Sequence, residues 1–495
     1  MRAGVVAGLA LSAGLVLGGA GAAETAAPSG AETFDAAWTI VRDTHFDPGL
    51  NGVDWDAVRA ELRPKAESAS SAEELRGILS DMLGRLGQSH FAIFPQETVD
   101  RLESFRVESV APAGAPAASE PPGSPEVAGP TAEATAGDVG HSEEADEAED
   151  GSGVVGLEVR LLDGRVVVTR VEADYAAAEQ GVRPGWLVTR IDDRDVVELI
   201  EFVRGEMAGA LYGEQVIVAE VVAEALNGPP GSTIDLGFVD GDGATVERTL
   251  ERRAAKGRLV RFGNLPPMMT RVDGRSVTTE EDQRVGIVSL SSWMVPAMAE
   301  LDRLLFEFRD VDGVVFDLRG NPGGVAAMVM GTAGHFIDQR VDLGTMRMRT
   351  SSLRFAVNPR LVDGANERVG VFDGPLAILV DGLSASTSEV FAGGMQDVGR
   401  ARVFGETTMG AVLPAQMERL PNGDVLYHAF AEYVTPSGVA LEGRGVVPDE
   451  SVRLTRAALL DGRDPQLDAA VRWIVIELNR APAPLEAASP EEGTQ

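Results

Sequence analysis

The sequence predicts an α/β protein, a layered core of strands alternating with helices, preceded by a helical unit and a small β-rich domain. Three observations lead there. From Arg284 onward apolar runs of strand length alternate with helix-patterned segments, residues 153–256 hold short β-rich runs separated by Gly and Asp turns, and residues 31–106 place apolar side chains at helical spacing. At 495 residues the chain is too long for one ordinary domain, since roughly 100–200 residues per domain is usual.

The first residues, "MRAGVVAGLALSAGLVLGGAGAAE", place one Arg before an apolar stretch from Ala3 to Leu17 and then small residues ending in Ala20-Gly21-Ala22-Ala23. That is the layout of a signal peptide over residues 1–23, and the expected location is exported, periplasmic or extracellular. No later run reaches the roughly 18 uninterrupted apolar residues that a spanning helix needs, so no membrane span is expected in the mature chain. The chain contains no Cys. Disulfides, thiol nucleophiles and Cys-ligated zinc are thereby excluded, and an exported chain without cysteines fits a bacterial periplasm or exterior. The net charge of −34 argues against nucleic acid or anionic lipid as partners, because both require basic patches.

In the helical unit, Phe34, Ala37, Trp38 and Val41 lie near a 3.6-residue spacing, and Ser71 with Glu74 is a capping-box start for a second helix carrying Leu75, Ile78, Leu79, Met82 and Leu83. Residues 107–152 are Pro, Ala, Gly, Ser and acid with little to bury, a disordered acidic linker or insertion. In the β-rich domain, Asp163-Gly164 between two apolar runs signals a hairpin, and a long helical pattern spans 196–226. In the core, 257–480, "VGIVSLSSW", "DGVVFDLRG" and "PLAILVDG" read as strands. "VPAMAELDRLLFEF", "GVAAMVMGTAGHFI" and "SEVFAGGMQDVG" read as the helices between them. Residues 481–495 read as a disordered tail.

Two stretches could carry chemistry. "FDLRGNPGGV", 316–325, ends a buried strand in a Gly-rich turn before a helix, which suits an oxyanion hole better than a phosphate cradle because no P-loop Lys is present. "VDGLSASTSEVFAGG", 380–394, sets Ser384, Ser386, Thr387 and Ser388 between a strand and a helix. The position suits a nucleophile elbow without its G-x-S-x-G spelling, yet Ser386-x-x-Glu389 is also a capping box, and both readings stand. A serine nucleophile needs a base. The only lysines, Lys65 and Lys256, fall outside the core; of the histidines, His141 sits in the acidic linker, His45, His335 and His428 read as helix or strand positions, and His90 stands beside Ser89 in a loop, "RLGQSHF". The scattered histidines show no metal-binding spacing, so no metal is expected.

The motifs "LGQSHF", "FDLRGNPGG", "LVDGLSASTSEVFAGGMQDVGRARVFGETTMG" and "YVTPSGVALEGRGVVPD", with a PDZ-like unit containing "GLEV" at 156–159, occur in this order. The chain thereby resembles the C-terminal processing and tricorn-like serine peptidases. The resemblance implies a crotonase-like layered α/β protease core, a PDZ-like β-domain at 153–256 and an N-terminal helical cap. It implies that the amides of Gly156 and Leu157 hold a peptide's terminal carboxylate, with the peptide adding a strand. Where C-terminal processing members carry a catalytic Lys, this chain has Ala411. The tricorn-like Ser-His-Ser-Glu tetrad instead maps onto Ser89, His90, Ser386 and Glu442, with Ser386 the nucleophile, His90 the base and Glu442 orienting it through Ser89. Amides of Gly323 or Gly324 and of Thr387 would form the oxyanion hole, leaving Glu389 to cap the helix. The expected function is an exported serine endopeptidase that cleaves unfolded or partly unfolded polypeptides without a cofactor. The alternative is a silent relative that binds peptides or small ligands.

Overall fold

The structure is a computed structural model that describes residues 29–96, 153–206, 214–260 and 268–480. The expected signal segment, the acidic segment 107–152 with His141, and the tail 481–495 lie outside the described residues. Among the described residues, no helix is long and apolar enough to cross a membrane, and no cluster of His, Asp and Glu is arranged to hold a metal ion.

Three helices, Gly30–Thr44, Trp55–Glu67 and Ala72–Gly84, form the N-terminal unit. The first opens with a reciprocal cap, Ser29 N donating to the Glu32 carboxylate at 2.8 Å and Glu32 N to Ser29 Oγ at 3.2 Å. Trp38 and Trp55 lock the first two helices together, each indole N–H donating to the other's backbone carbonyl at 2.9 and 3.1 Å. The unit does not stay helical to its end. Strand Ala92–Phe94 pairs antiparallel with Val425–Ala429 of the core hairpin, and Leu420 and Leu426 of that hairpin complete the helical unit's apolar cluster. Arg76 closes the joint by donating to both carboxylate oxygens of Asp424, at 3.0 and 2.8 Å.

The β-domain is an antiparallel sheet in the order Leu157–Leu162, Arg165–Val171, Leu187–Ile191, Thr233–Val239, Thr245–Glu251. The described parts of its 196–226 segment are helical, Val196–Glu206 and Glu214–Leu226.

The core sheet runs Val272–Thr278, Arg284–Leu290, Gly313–Asp317, Leu376–Val380, Arg402–Gly405, Glu450–Ser451. Its first pair is antiparallel and the rest are parallel. Helices Met298–Glu307 and Thr387–Asp397 cover one face and Pro465–Leu478 the other, so Leu376–Val380 is buried on both sides, as its unbroken apolar letters require. The expected helix over 324–337 shrinks to Met328–Ala333. Gly324 is held in a bridge to Trp293, Val325 N donates to Trp293 O at 2.7 Å, and His335 lies beyond the helix.

Candidate active site

Strands Gly313–Asp317 and Leu376–Val380 are parallel neighbours, with Asp317 opposite Leu379. The loops that follow them, 318–324 and 381–386, therefore emerge side by side at the carboxyl ends of the strands, where open α/β sheets place their sites. Three of the four hydroxyls at 384–388 tie the second loop and the start of its helix to the first loop. Ser384 Oγ donates to Leu318 O at 2.8 Å, Ser388 Oγ to Asn321 O at 3.1 Å and Thr387 Oγ1 to Gly324 O at 2.7 Å. Ser388 Oγ also accepts the Trp293 indole N–H at 3.0 Å. Those three side chains hold the two loops in register, which leaves Ser386 as the hydroxyl of this run with a different setting.

Ser386 sits at φ 52°, ψ −115°, immediately before helix Thr387–Asp397. A non-Gly residue with positive φ is uncommon and carries strain, and such strain gathers at nucleophile turns. Gly323 lies against this turn. A Cβ there would stand 2.7 Å from Ser386 Cβ and 3.0 Å from Thr387 N, and its φ is +104°. Only glycine admits that approach. The Gly323 amide, expected as an oxyanion donor, instead donates to Asn321 Oδ1 at 2.9 Å. Gly324 and Thr387 are the remaining candidates, and Thr387 N, in the first helical turn, points out of the positive end of the helix.

The other half of the site comes from the helical unit. Ser89 N and Ser89 Oγ donate to the two oxygens of the Glu442 carboxylate at 2.9 and 3.1 Å, and Ser89 Oγ meets His90 Nδ1. With Ser89 Oγ giving its one proton to the Glu442 carboxylate, the matching tautomer has His90 Nδ1–H donating to Ser89 Oγ and the lone pair on Nε2. His90 adopts φ 63° and is 2% exposed. Burial lowers its pKa from 6.5 to about 3, so the ring is neutral. Burial raises the pKa of Glu442, against hydrogen bonds from Ser89, Val412 and Leu413 that favour the carboxylate.

One short strut connects the two halves. Ser386 N lies 2.9 Å from Ala411 O, and Val412 N donates to Glu442 Oε2 at 3.0 Å. Glu389, expected only to cap its helix, does more. Its fully buried carboxylate accepts from Ser386 N at 2.9 Å, Ala411 N at 3.0 Å, Gly410 N at 2.7 Å and Thr408 Oγ1 at 2.5 Å. Burial pushes its pKa up to about 7 against those bonds. The available signal was a carboxylate in a helix whose other letters, "VFAGGM", are apolar or small all round.

The remaining described bases are engaged elsewhere. His45 Nε2 meets Gln88 Oε1, His335 Nε2 meets Asp302, and His428 contacts Thr44 and Glu418. Lys65 pairs with Glu61 and Lys256 with Asp174. A cavity of about 1300 Å³ lies between the β-domain and the core and reaches from Gly156 and Leu157 to Pro322 and Leu383. Ser386 and His90 are not among the residues that line it. At its centre Arg160 donates to Asp381 Oδ2 at 2.9 Å, while Asp381 Oδ1 accepts Gly320 N at 2.8 Å. Gly156 has φ +80°, and a Cβ there would strike Tyr175 Cβ at 2.3 Å.

Residues 284–452 match the model of peptidase family S41, and residues 29–84 match the tricorn protease C1 domain. A probable CtpA-like serine protease of Staphylococcus haemolyticus is 25% identical over 307 residues, covering 60% of this chain and 52% of that protein. The chain thus spans about half the length of that relative. The chloroplastic carboxyl-terminal-processing peptidase 3 of Arabidopsis thaliana is 26% identical over 466 residues, 92% of this chain and 73% of that protein. Among solved structures, the photosystem II D1 C-terminal processing protease superposes with a TM-score of 0.52 at 20% identity, covering 90% of this chain and 97% of that one. Mature CPAF gives 0.53 at 12% identity, covering 91% and 97%. These two likenesses concern the fold.

Proposed function

We propose that this chain, whose residues 284–452 match the model of peptidase family S41, is an endopeptidase with Ser386 as nucleophile and His90 as general base. The observation that carries this reading is the hydrogen-bonded series His90, Ser89, Glu442 standing one strut away from a strained serine turn. Neutral His90 takes the Ser386 proton on Nε2 as Oγ attacks the scissile carbonyl carbon. Glu442, acting through Ser89, holds the ring's tautomer and stabilises the imidazolium that forms. The tetrahedral oxyanion is held by the Thr387 and Gly324 amides, each worth about 3 kcal/mol in such sites. Collapse breaks the C–N bond, and the imidazolium returns its proton to the leaving amine. Water, deprotonated by the same nitrogen, then releases the acyl group from Ser386.

The substrate class is unfolded or partly unfolded polypeptide, because Ser386 is only 7% exposed and an extended chain alone can be threaded to it. The β-domain holds the substrate's C-terminus at Gly156 and Leu157, and the cavity leading toward Pro322 supports that path. The N-terminal apolar segment supports export.

A fluorophosphonate serine probe and an unfolded protein substrate test the reading. Wild type labels and cleaves, and Ser386→Ala does neither. A wild type that fails to label, or a Ser386→Ala that labels equally, rejects the peptidase reading in favour of a silent binding protein.

A further inference from the structure

Two carboxylates grip the same loop from opposite sides. Glu389, on the helix that begins at the nucleophile turn, accepts from Thr408, Gly410 and Ala411 as well as from Ser386 N. Glu442, which holds Ser89 and through it His90, accepts from Val412 N. The loop between them is tied down further. Val446 N donates to Thr408 Oγ1 at 2.7 Å and Gly443 N to Gly410 O at 2.8 Å. All four groups facing Glu389 donate, and a carboxylate is the side chain that only accepts, so neither Gln nor a protonated acid satisfies them equally. Burying a carboxylate without a cation is costly, and helix capping alone does not require it.

We propose that Glu389 is a positioning residue for the Ser386–His90 pair: its carboxylate fixes the 408–412 loop against the nucleophile turn and so sets where Glu442, and with it His90, stands relative to Ser386. Ser386 and Glu389 are three residues apart on one turn, whereas Ser386 and His90 come from units far apart in sequence. The 408–412 loop links them, held at residues 408–411 by Glu389 and at Val412 by Glu442. This rests on the reading of Ser386 as nucleophile and His90 as base.

Steady-state kinetics on an unfolded peptide substrate, the rate of fluorophosphonate labelling and the thermal unfolding midpoint, measured for wild type, Ser386→Ala, Glu389→Gln and Glu389→Asp, test it. Glu389→Gln lowers kcat about 100-fold, as a displacement of about 1 Å at a catalytic pair does, with KM within about threefold. Labelling slows in parallel, the unfolding midpoint moves by only a few degrees, and Glu389→Asp recovers part of kcat. Glu389→Gln with kcat within about threefold of wild type, or a loss seen only in KM or in the midpoint, overturns the proposal while leaving the nucleophile reading intact. If Glu389→Gln does not fold, Glu389→Asp decides: a lowered kcat with unchanged KM supports the proposal and a wild-type kcat overturns it. A wild type that neither labels nor cleaves overturns the nucleophile reading and this proposal together.

Discussion

Ser89 gives both its backbone amide and its hydroxyl to Glu442, 353 residues away in sequence, at 2.9 and 3.1 Å. One residue thus links a carboxylate of the core to a histidine of the helical unit. Removing the hydroxyl, as in Ser89→Ala, leaves His90 Nδ1–H without its acceptor and lowers kcat about 10- to 100-fold, the range for a lost supporting partner. His90→Ala removes the base and lowers kcat about 100- to 10,000-fold. Ala411→Lys is not needed for activity. Assays of the three variants check this, and retained activity in His90→Ala sinks the tetrad.

Acid acts on His90 through linkage. Its folded pKa is lowered to about 3 by burial, while an unfolded His titrates near 6.5. Between those values the unfolded chain binds a proton that the folded chain refuses, so stability falls as pH drops from 6.5 toward 3. From about pH 7.5 to about pH 5 this group alone removes about 2 kcal/mol. His90→Gln lacks that component, whereas Glu389 and Glu442 titrate in both proteins. Urea unfolding at the two pH values must show a smaller acid loss in His90→Gln than in wild type, and equal losses contradict the burial.

Gly323→Ala sets a methyl against the nucleophile turn, 2.7 Å from Ser386 Cβ, at a φ of +104°. Activity falls at least about 100-fold, because the turn or the facing loop must move by a substantial fraction of an ångström. Serine-probe labelling measures it, and wild-type labelling would show that the glycine serves only the turn.

The helical unit is held to the core by Arg76 on Asp424, whose side chain is 1% exposed. Arg76→Ala leaves that carboxylate buried with weaker compensation and costs about 3 kcal/mol. Because the same unit carries His90, kcat falls together with stability. Calorimetry and kinetics at a temperature well below unfolding separate the two effects, and an unchanged kcat there shows that the joint does not position His90.

Carboxylate capture at Gly156 and Leu157 predicts a difference between peptides that share a sequence and differ only at the C-terminus. Amidation raises KM about tenfold, equivalent to about 1.4 kcal/mol, and leaves kcat unchanged. Equal KM values for the acid and the amide argue that the groove is not used.

Much of the fold was legible because its signals are local. Leu376–Val380 is apolar at every position and is buried at every position, and the Ser71 cap begins the helix its letters announce. Where local signals failed, contacts distant in sequence prevailed. The bridge of Gly324 to Trp293 shortened the helix expected over 324–337.

The sequence alone supplied the candidate groups: a serine run before a helix, a histidine beside a serine at the exit of the helical unit, an acid among glycines, and Ala411 with no lysine near it. It left the serines unranked on chemical grounds and gave Glu389 a capping role. Tertiary structure ranked them by directing Ser384, Thr387 and Ser388 onto the carbonyls of 318–324, and it buried Glu389 against four donors. Hydrogen-bond accounting of this kind depends on which distant carbonyls and amides face each hydroxyl, and only packing of the strands and the helical unit onto one another brings those groups within 3 Å or so of each other.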